Sequence, residues 1–540
     1  MSRYLLQHLL EETSSKYPDK NAIVSGQDTI TYKSLDEKSC CLANMLFNMG
    51  FKPRNVVGVY LPKSIEAIIS VFAILKAGGA YIPLDSCYSP QARINKIISL
   101  SEMEYVISNT LQWKSMLDSL GDDKAMLEKI KVIFLDKLDF PGKSVTLEPV
   151  GIDFGENCFY YDESMIHVSL QSTNITDTDL AYILYTSGST GTPKGVMLTH
   201  LNAMTFINWS LSYFKPKGND IFSNFAPLHF DLSIFDIYVS IAAGGCLNIV
   251  PFQISSNPRA LLEWISKSKI TYMYSVPSVW VSILNYTNIK QDDLPELKKV
   301  LFAGEVFPPK YLNKLMEILP QASFYNLYGP TETNVCMYYH VKSRDEVNDR
   351  PVPIGSACEN TEILVLNEND LPVNEGEEGE LLVRGSIVTQ GYYKERERTL
   401  SAFRRSPLGI HNGKLFYKTG DIVRKCADDI YEFVGRKDFM VKCSGFRVEL
   451  QEIEHALYQN ETIEEAVVVP VTSCRKDTVS ICAVVKMREG SSFSVSGIKN
   501  FLVGILPKYM IPESIECIEE LPKNSNGKVD RVKIAQLFSC

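Results

Sequence analysis

The stretch NVVGVYLPKSIEAIISVFAILKAGGAYIPLD (residues 55–85) decides the fold class. Its segment 56–61 is an almost unbroken apolar run, which is typical of a strand buried on both faces of a sheet. Ser64 can cap a helix over the apolar residues that follow at helical spacing, and the glycine pair at 78–79 ends that helix before a second strand at 80–84. Strand, helix and strand in this order predict a parallel pair joined by a right-handed crossover.

The same alternation of strands and helices recurs at 180–215 and at 270–304. We therefore predict a layered α/β fold for the N-terminal part of the chain. After about residue 355 the sequence changes to short strands and turns, and it ends in a unit with mixed helices and strands. These changes predict two domains, a large α/β domain at 1–436 and a small α+β domain at 437–540.

Composition and charge argue against several classes of protein. The chain has 540 residues, of which 45% are hydrophobic and 22% charged, as in ordinary globular proteins. A net charge of −9 argues against nucleic acid as the main partner. The sequence has no signal peptide and no apolar run long enough to span a membrane. Its 13 cysteines form no C-x-x-C pair and fit reduced thiols, so we expect a cytoplasmic protein that binds neither nucleic acid nor membrane.

The stretch YTSGSTGTPKGV (185–196), here called the glycine-rich loop, is too polar and flexible to be core. Its glycines and hydroxyls predict a loop that binds phosphate oxygens. It is not a Walker A loop, because Pro193 stands where the second glycine would be and Gly195 follows Lys194. Taken alone, the stretch leaves open a glycine-rich turn unrelated to phosphate.

Further motifs follow in order along the chain. They are LKAGGAYIPLD (75–85), the glycine-rich loop, FDLSIFDIY (230–238), NLYGPTE (326–332), GELLVRG (379–385), YKTGD (417–421), GRKDFMVKCSGFRVELQEIE (435–454) and LPKNSNGKVDR (521–531). Over essentially the whole chain, the series resembles the core motifs of the adenylate-forming superfamily, in particular the amino-acid adenylation domains of nonribosomal peptide synthetases. The resemblance implies an N-terminal core that binds ATP and an amino acid, and a mobile C-terminal domain that carries a catalytic lysine.

The implied reaction is attack of a substrate carboxylate on the α-phosphorus of ATP, which must bring two anions together. The resemblance assigns ATP or AMP binding to Thr186, Ser187, Gly188, Ser189, Thr190, Gly191, Lys194, Gly304, Glu305, Asn326, Tyr328, Gly329, Thr331, Asp421, Phe433 and Arg436. Among these, Tyr328 is assigned to adenine, Thr331 to the α-phosphate and Asp421 to the ribose hydroxyls. Glu332 is assigned to Mg²⁺, which prefers one or two carboxylates together with phosphate oxygens. Lys194, Thr331 and Lys528 are the implied catalytic residues.

Two faces of the C-terminal domain are implied. Lys528 follows the turn pair Asn526–Gly527, which can project it towards the substrate carboxylate and the α-phosphate. The hinge position of the family matches Asp438. Rotation at this hinge would replace the lysine face by a second face around Lys442 and Gly445, which admits a thiol.

Asp231 matches the aspartate that the family pairs with an α-ammonium group, and a buried carboxylate requires such a cation. The other implied pocket residues are Leu232, Phe235, Tyr274, Leu301, Ala303, Leu327, Val335 and Cys336, closed by Lys528. Between the two charged ends only the Tyr274 hydroxyl is strongly polar, so a small apolar amino acid is implied. The lining is similar to that of stand-alone L-prolyl ligases of pyrrole and anatoxin-type pathways, nearer to the anatoxin type because of Phe235. We expect L-proline, with alanine, valine or a modified proline as alternatives.

No carrier domain follows Lys528, so we expect transfer to the phosphopantetheine thiol of a separate carrier protein by a monomer. Three other functions stay open. An acyl- or aryl-CoA ligase would not need Asp231. A D-alanyl carrier ligase would not need a pocket as bulky as Tyr274 and Phe235 make it. A silent scaffold would be free to lose the catalytic set.

Overall fold

The structure is a computed structural model. It describes residues 3–120, 127, 129–136, 157–161, 172–188, 191–347, 350–408, 413–437, 440–443, 445–472, 479–522 and 529–538. The predictions for Ser189, Thr190, Asp438 and Lys528 lie outside these residues.

The unit predicted at 55–85 is confirmed. A strand at Val56–Tyr60, a helix at Ile65–Lys76 and a strand at Ala80–Pro83 follow each other, and the two strands pair in parallel. Ser64 caps the helix, since its side chain accepts a hydrogen bond from the Ala67 N–H at 3.2 Å. Both strands are buried along their whole length, as the unbroken apolar run predicts.

This unit belongs to a sheet that is mostly parallel. Across the sheet the strands are Gly391–Tyr392, Lys194–Thr199, Leu180–Thr186, Ala80–Pro83, Val56–Tyr60, Tyr105–Ser108, Lys131–Phe134 and Cys158–Tyr160. Only the pairs made by Lys194–Thr199 are antiparallel within the described sheet. The glycine-rich loop therefore connects two neighbouring strands at one edge of this sheet.

A second sheet has a parallel centre with antiparallel strands at both edges. Its strands, in order across the sheet, are Ser356–Ala357, Met337–Val341, Ser323–Tyr328, Lys299–Phe302, Tyr272–Ser275, Ile221–Asn224, Cys246–Ile249, Asn21–Ser25 and Asp28–Thr31. Both large sheets contribute side chains to one buried apolar cluster, together with helices that lie between them.

Helices cover both sheets on their outer faces as well. The helices between the sheets are Leu6–Lys16, Tyr32–Asn48, Ile65–Lys76 and His200–Phe214, which all contribute to the shared cluster. The outer helices are Pro258–Lys267, Pro277–Tyr286 and Pro309–Ile318 on the second sheet, and Gln91–Ser101 and Thr110–Leu120 on the first. The shorter helical segments are Leu232–Ile234, Phe235–Val239, Ser240–Ala242, Phe252–Ser255, Gln291–Asp293, Arg344–Glu346, Arg396–Ala402, Ala427–Asp429 and Lys508–Met510. The layered α/β prediction is confirmed.

A smaller antiparallel sheet follows the two large ones along the chain, where the sequence predicts short strands and turns. Its strands are Thr361–Leu366, Glu378–Gly385, Leu415–Lys425, Phe403–Arg405 and Tyr431–Arg436. The last two strands before the C-terminal domain, at Leu415–Lys425 and Tyr431–Arg436, pair directly with each other.

The C-terminal part is a small α+β unit. Its elements are the strand pair Met440–Cys443 and Phe446–Glu449, the strands Ile463–Thr472, Val479–Met487 and Ser514–Cys517, and the helices Leu450–Tyr458, Val495–Val503 and Arg531–Gln536. Its apolar core is separate from the clusters of the large domain. Among the described residues, no helix is both long and apolar enough to cross a membrane.

Candidate active site

The candidate active site lies where parallel strands of both large sheets end. The strand Lys299–Phe302 leads into Gly304, the strand Ser323–Tyr328 leads into Gly329, and the strand Leu180–Thr186 leads into the glycine-rich loop. In open α/β sheets, ligands bind in the crevice outside the carboxyl ends of the strands. The topology therefore brings the predicted ATP residues to one cleft.

Two glycines allow the backbone to pass closely here. Gly304 has φ +89°, in the left-handed region that side chains rarely adopt. A Cβ atom at Gly329 would lie 1.5 Å from the carbonyl oxygen of Asn334. Neither position can carry a side chain without local rearrangement.

Glu332 lies fully buried between two cations. Its Oε1 accepts hydrogen bonds from the Lys194 Nζ at 3.1 Å and the Tyr392 hydroxyl at 2.8 Å, and its Oε2 accepts one from the Arg447 Nη1 at 2.6 Å. Burial alone would raise the pKa of this carboxyl, but Arg447 and Lys194 outweigh burial and hold the pKa well below its usual value. Glu332 is therefore a carboxylate at neutral pH.

Asp421 is held by two donors. The Tyr328 hydroxyl donates to one carboxylate oxygen and the Arg436 guanidinium to the other. Asp421 is buried, and its own N–H donates to the Thr419 hydroxyl at 3.0 Å. These contacts fix the carboxylate in one orientation, as a group that recognises a ligand requires.

A cavity of about 660 Å³ lies beside Asp421. Seven predicted ATP-binding residues line it, namely Gly304, Glu305, Asn326, Tyr328, Asp421, Phe433 and Arg436. The Asn326 amide donates to the Pro353 carbonyl at 2.8 Å, which fixes the side chain at the cavity wall. The cavity has the size and the mixed polarity that a nucleotide site needs.

A smaller cavity of about 80 Å³ lies on the other side of the same cleft. Its lining includes the predicted substrate residues Asp231, Leu232, Tyr274, Ala303 and Val335. Burial raises the pKa of Asp231, while the Thr331 hydroxyl and the Lys442 ammonium act in the opposite direction. A carboxylate in this position is stable only with a cation beside it.

Four predicted substrate residues lie elsewhere. Leu327 lines the larger cavity, whereas Phe235, Leu301 and Cys336 are buried outside the linings of both cavities. The Phe235 ring packs edge-on against Tyr274, with ring centroids 5.5 Å apart. Phe235 therefore acts on the small cavity through Tyr274.

Asn334 is a lining residue that the sequence analysis missed. It has φ +48°, its Oδ1 accepts from the Val335 N–H at 2.7 Å, and its side chain also interacts with the buried Tyr182 hydroxyl. The signal in the sequence was an asparagine next to an apolar pair after the YGPTE motif, since asparagine favours the left-handed region. The small cavity is therefore lined by a polar side chain, besides Asp231, Thr331 and Tyr274, that the motifs did not indicate.

The C-terminal unit engages the glycine-rich loop. The Ser187 hydroxyl donates to the Arg447 carbonyl at 2.7 Å, and the Gly188 N–H donates to the Glu452 Oε2 at 3.2 Å. The Thr186 hydroxyl is buried, with no hydrogen-bond partner among the residues that the structure describes. Gly191 completes the loop, its N–H donating to the Gly188 carbonyl at 2.9 Å. The loop thus directs the Ser187 hydroxyl and the Gly188 N–H towards the C-terminal unit.

The strand pair at 440–449 covers the cleft. Lys442 lines both cavities and lies 5.9 Å from the centre of the Tyr328 ring, and the Gly445 N–H donates to the Glu305 Oε1 at 2.8 Å. Burial lowers the pKa of the Lys442 ammonium, while Asp421 and Asp231 oppose this shift. The two residues predicted for the second face of the C-terminal domain therefore lie at the site in this structure.

The residues fit a magnesium ion only together with phosphate. Among the described residues, no cluster of three or more His, Cys, Asp or Glu side chains could hold a metal ion alone. Glu332 can supply one carboxylate, and phosphate oxygens of ATP would complete the shell. Because Arg447 now holds its Oε2, a magnesium ion at this carboxylate would compete with the Arg447 guanidinium.

Comparison with known proteins gives matches over nearly the whole chain. The sequence profile described as AMP-binding enzyme matches residues 10–393, and the profile described as AMP-binding enzyme C-terminal domain matches residues 452–528. An L-proline–[L-prolyl-carrier protein] ligase of Pseudomonas fluorescens is 32% identical over 532 residues, covering 98% of this chain and 99% of that protein. A D-alanine–D-alanyl carrier protein ligase of Bacillus licheniformis is also 32% identical, over 536 residues, with coverage of 98% and 99%.

Solved structures share the fold. The adenylation domain AlmE of Vibrio cholerae, solved with glycyl-adenosine-5′-phosphate, has a TM-score of 0.83 to this chain at 24% identity, covering 100% of this chain and 98% of that one. The match confirms a large mixed α/β domain followed by a smaller C-terminal domain.

Proposed function

Since this chain belongs to the AMP-binding enzyme family and is an adenylate-forming ligase, we propose that it activates L-proline with ATP and transfers the prolyl group to the phosphopantetheine thiol of a separate carrier protein. In the first step a proline carboxylate oxygen attacks the α-phosphorus of ATP, and pyrophosphate leaves. In the second step the thiolate sulfur attacks the acyl carbon, and AMP leaves.

The observation that carries the proposal is the buried carboxylate of Asp231 at the small cavity. The ammonium of an amino acid supplies the cation that such a carboxylate requires. An acyl or aryl acid would leave Asp231 unpaired once the C-terminal unit and its Lys442 have moved away. This argument supports an amino acid over a fatty or aromatic acid.

The walls of the small cavity favour a compact apolar side chain. Leu232, Ala303 and Val335 offer no hydrogen bonds, and Tyr274 narrows the space. A charged side chain would lose its water here without gaining a partner. Proline fits this chemistry, because its ring is apolar and its ammonium has two N–H donors for one carboxylate.

The roles of the other residues follow from their placement. Lys194 and the loop donors of Ser187 and Gly188 would bind the departing pyrophosphate. Asp421 would take the ribose hydroxyls in the larger cavity. Glu332 would hold Mg²⁺, which neutralises phosphate charge when it is bound with ATP.

The division of labour between the domains belongs to the same proposal. The core at 1–436 would bind both substrates, and the unit at 437–540 would present Lys528 in the first step and the strand pair at 440–449 in the second. A hinge at Asp438 would connect the two arrangements. The contact of Lys442 and Gly445 with the site supports this view, because it corresponds to the second arrangement.

Amino-acid-dependent ATP–pyrophosphate exchange tests the proposal. We expect strong exchange with L-proline, loss of exchange in Asp231→Asn and in Lys528→Ala, and no loss in Asp292→Asn, an exposed carboxylate. Radiolabelled proline should then be transferred to a phosphopantetheinylated carrier protein and not to free coenzyme A. Exchange with no amino acid would overturn the Asp231 argument and point to an acyl substrate.

D-Alanine is the second candidate, because a D-alanyl carrier protein ligase matches this chain as well as the proline enzyme does. The exchange panel therefore includes D-alanine beside the twenty standard amino acids. Exchange with D-alanine alone would keep the ligase activity and replace the substrate. Phe235 lies behind Tyr274 and outside the cavity lining, so its ring does not by itself separate alanine from proline.

A further inference from the structure

Glu452 faces the glycine-rich loop rather than its own domain. It lies in the first turn of the helix Leu450–Tyr458 and is only 3% exposed. One carboxylate oxygen accepts from the Gly188 N–H at 3.2 Å, and the other accepts from the Arg93 guanidinium. Arg93 is itself buried and belongs to the large domain. The carboxylate is thus enclosed by donors of the large domain.

The neighbouring acid on the same helix has a different task. Glu454 pairs with Arg531 at 2.8 Å and accepts from the Val468 N–H at 2.8 Å, so its contacts stay inside the C-terminal unit. The helix therefore uses one glutamate to hold its own domain together. It offers the other to the loop that the proposed function assigns to pyrophosphate.

A carboxylate between a guanidinium and a backbone N–H occupies the kind of position that a phosphate takes at a glycine-rich loop. Two anions cannot share the single N–H of Gly188, since their repulsion in a buried site is strong. The Ser187 hydroxyl is likewise taken by the Arg447 carbonyl. In this arrangement the C-terminal unit occupies two donors of the loop, the Gly188 N–H and the Ser187 hydroxyl. Bound pyrophosphate would need the same donors.

We propose that Glu452 is a positioning residue for the second half-reaction, which docks the C-terminal unit by taking the place of pyrophosphate on the glycine-rich loop. The inference rests on the proposed function, which identifies the anion as pyrophosphate. Docking in this orientation then requires that pyrophosphate has left. The first product therefore controls when the thiol step can begin.

Mutual exclusion has a measurable consequence. Pyrophosphate binds only the protein molecules whose C-terminal unit is undocked. Its apparent affinity is therefore the intrinsic affinity multiplied by the undocked fraction. Removing the Glu452 charge leaves Arg93 without its buried partner and weakens docking. Pyrophosphate should then bind more tightly.

The test is calorimetric titration of magnesium pyrophosphate into the full chain without other ligands. We expect Glu452→Gln to bind pyrophosphate about tenfold more tightly than the unsubstituted protein, or better. Glu461→Gln serves as the charge-matched control, because Glu461 is an exposed glutamate just after the same helix. Retained ATP–pyrophosphate exchange shows that the variants fold. Glu452→Asp keeps the negative charge on a shorter side chain, so it should bind pyrophosphate with an affinity between those of Glu452→Gln and the unsubstituted protein.

Single-turnover transfer from preformed aminoacyl adenylate to carrier protein gives the second readout. Transfer should fall at least tenfold in Glu452→Gln, which is about the factor by which docking is weakened. Transfer should stay unchanged in Glu461→Gln. Equal pyrophosphate affinity in all three proteins would overturn the inference, even if transfer fell, since Glu452 would then be only a domain contact. Absence of exchange with every amino acid would instead defeat the proposed function and leave the pyrophosphate comparison valid.

Discussion

Arg447 and Glu332 join the C-terminal unit to the floor of the active site, with the Arg447 Nη1 2.6 Å from the Glu332 Oε2. Arg447 belongs to the strand Phe446–Glu449, and Glu332 follows the strand Ser323–Tyr328 of the large domain. A guanidinium thus holds the carboxylate that the proposed function assigns to Mg²⁺. Because a metal ion and the guanidinium would repel each other at this carboxylate, the position of the C-terminal unit and the binding of the metal are coupled.

Replacing Glu332 by glutamine should affect stability and activity together. The change leaves the buried cations of Lys194 and Arg447 without their anion, and removing one partner of a buried ion pair costs about 3–5 kcal/mol. We expect a loss of this size in the free energy of unfolding, measured by urea denaturation. Exchange should fall by about two orders of magnitude as well. Glu375→Gln, at an exposed carboxylate, should change neither quantity.

A normal unfolding free energy in Glu332→Gln would contradict this account of the buried cluster. It would mean that Lys194 and Arg447 find other partners or water when the carboxylate is lost. The two measurements report on different roles of Glu332. The exchange rate depends on its binding of the metal, and the free energy of unfolding depends on its ion pairs with Lys194 and Arg447.

Gly445→Ala should block the second half-reaction and spare the first. A Cβ atom at residue 445 would lie 2.2 Å from the Val276 Cγ1, so the strand pair could not seat on the site in its present position. Overpacking of this kind costs about 1–3 kcal/mol, which corresponds to a loss of transfer of about 5- to 150-fold. We expect transfer to the carrier protein to fall by this factor while ATP–pyrophosphate exchange is retained.

Gly490→Ala is the matched control for this experiment. Gly490 has φ +82° and Gly445 has φ +81°, so both substitutions introduce the same backbone strain. No atom of the described part of the chain lies within 4 Å of a Cβ at residue 490, so Gly445→Ala is the variant of the two that adds a clash. Equal transfer rates in the two variants would show that the contact with Val276 does not matter for the thiol step.

Asn334 should contribute to amino-acid binding through its side-chain amide at the small cavity. Substitution by glycine keeps the left-handed backbone and removes the donor, which at a buried site is worth about 1–3 kcal/mol when it meets an acceptor. We expect the KM for the amino acid in the exchange assay to rise about tenfold and the KM for ATP to stay unchanged. Asn360→Gly, at an exposed asparagine with φ +61°, should leave both values as they are. An unchanged amino-acid KM would mean that the donor meets water instead of substrate.

Hydrophobic periodicity and helix-capping residues were enough to predict individual strands and helices. The unit at 55–85 was predictable because strand burial, the Ser64 cap and the glycine pair all act within a few residues. The placement of Asp421 and Tyr328 at the larger cavity follows the motif order that the resemblance supplied. Tyr328 ends the strand Ser323–Tyr328 and Asp421 lies within the strand Leu415–Lys425, so the chain has little freedom at either residue.

Contacts between distant segments were beyond reach of the sequence. Gly188 and Glu452 are 264 positions apart, and no periodicity relates them. The prediction that Phe235 lines the substrate cavity did not account for the π-helical turn at Phe235–Val239. That turn depends on tertiary packing, and the ring lies among other aromatic side chains, including Phe206 and Phe222, behind Tyr274. Asn334 was missed for the same reason, because its orientation depends on the backbone fold around it.

His200 should make the large domain sensitive to mild acid. Burial lowers the pKa of its imidazole to about 3, and its Nδ1 accepts from the Leu6 N–H at 3.1 Å, which requires the neutral ring. In the unfolded chain the pKa returns to about 6.5, so the unfolded state binds more protons between these two values. Stability from this residue is therefore complete above about pH 6.5 and is lost progressively as the pH falls towards 3. Between pH 8 and pH 5.5 the loss is about 1.4 kcal/mol.

Urea denaturation at pH 8 and at pH 5.5 measures this loss when the protein is compared with His200→Gln. Glutamine does not titrate, so the variant should lose about 1.4 kcal/mol less unfolding free energy between the two pH values. Every other titrating group is common to both proteins and cancels in the difference. The same pH dependence in both proteins would show that the ring near Leu6 takes up a proton in the folded state, and that the helix Leu6–Lys16 does not need a neutral histidine to stay docked.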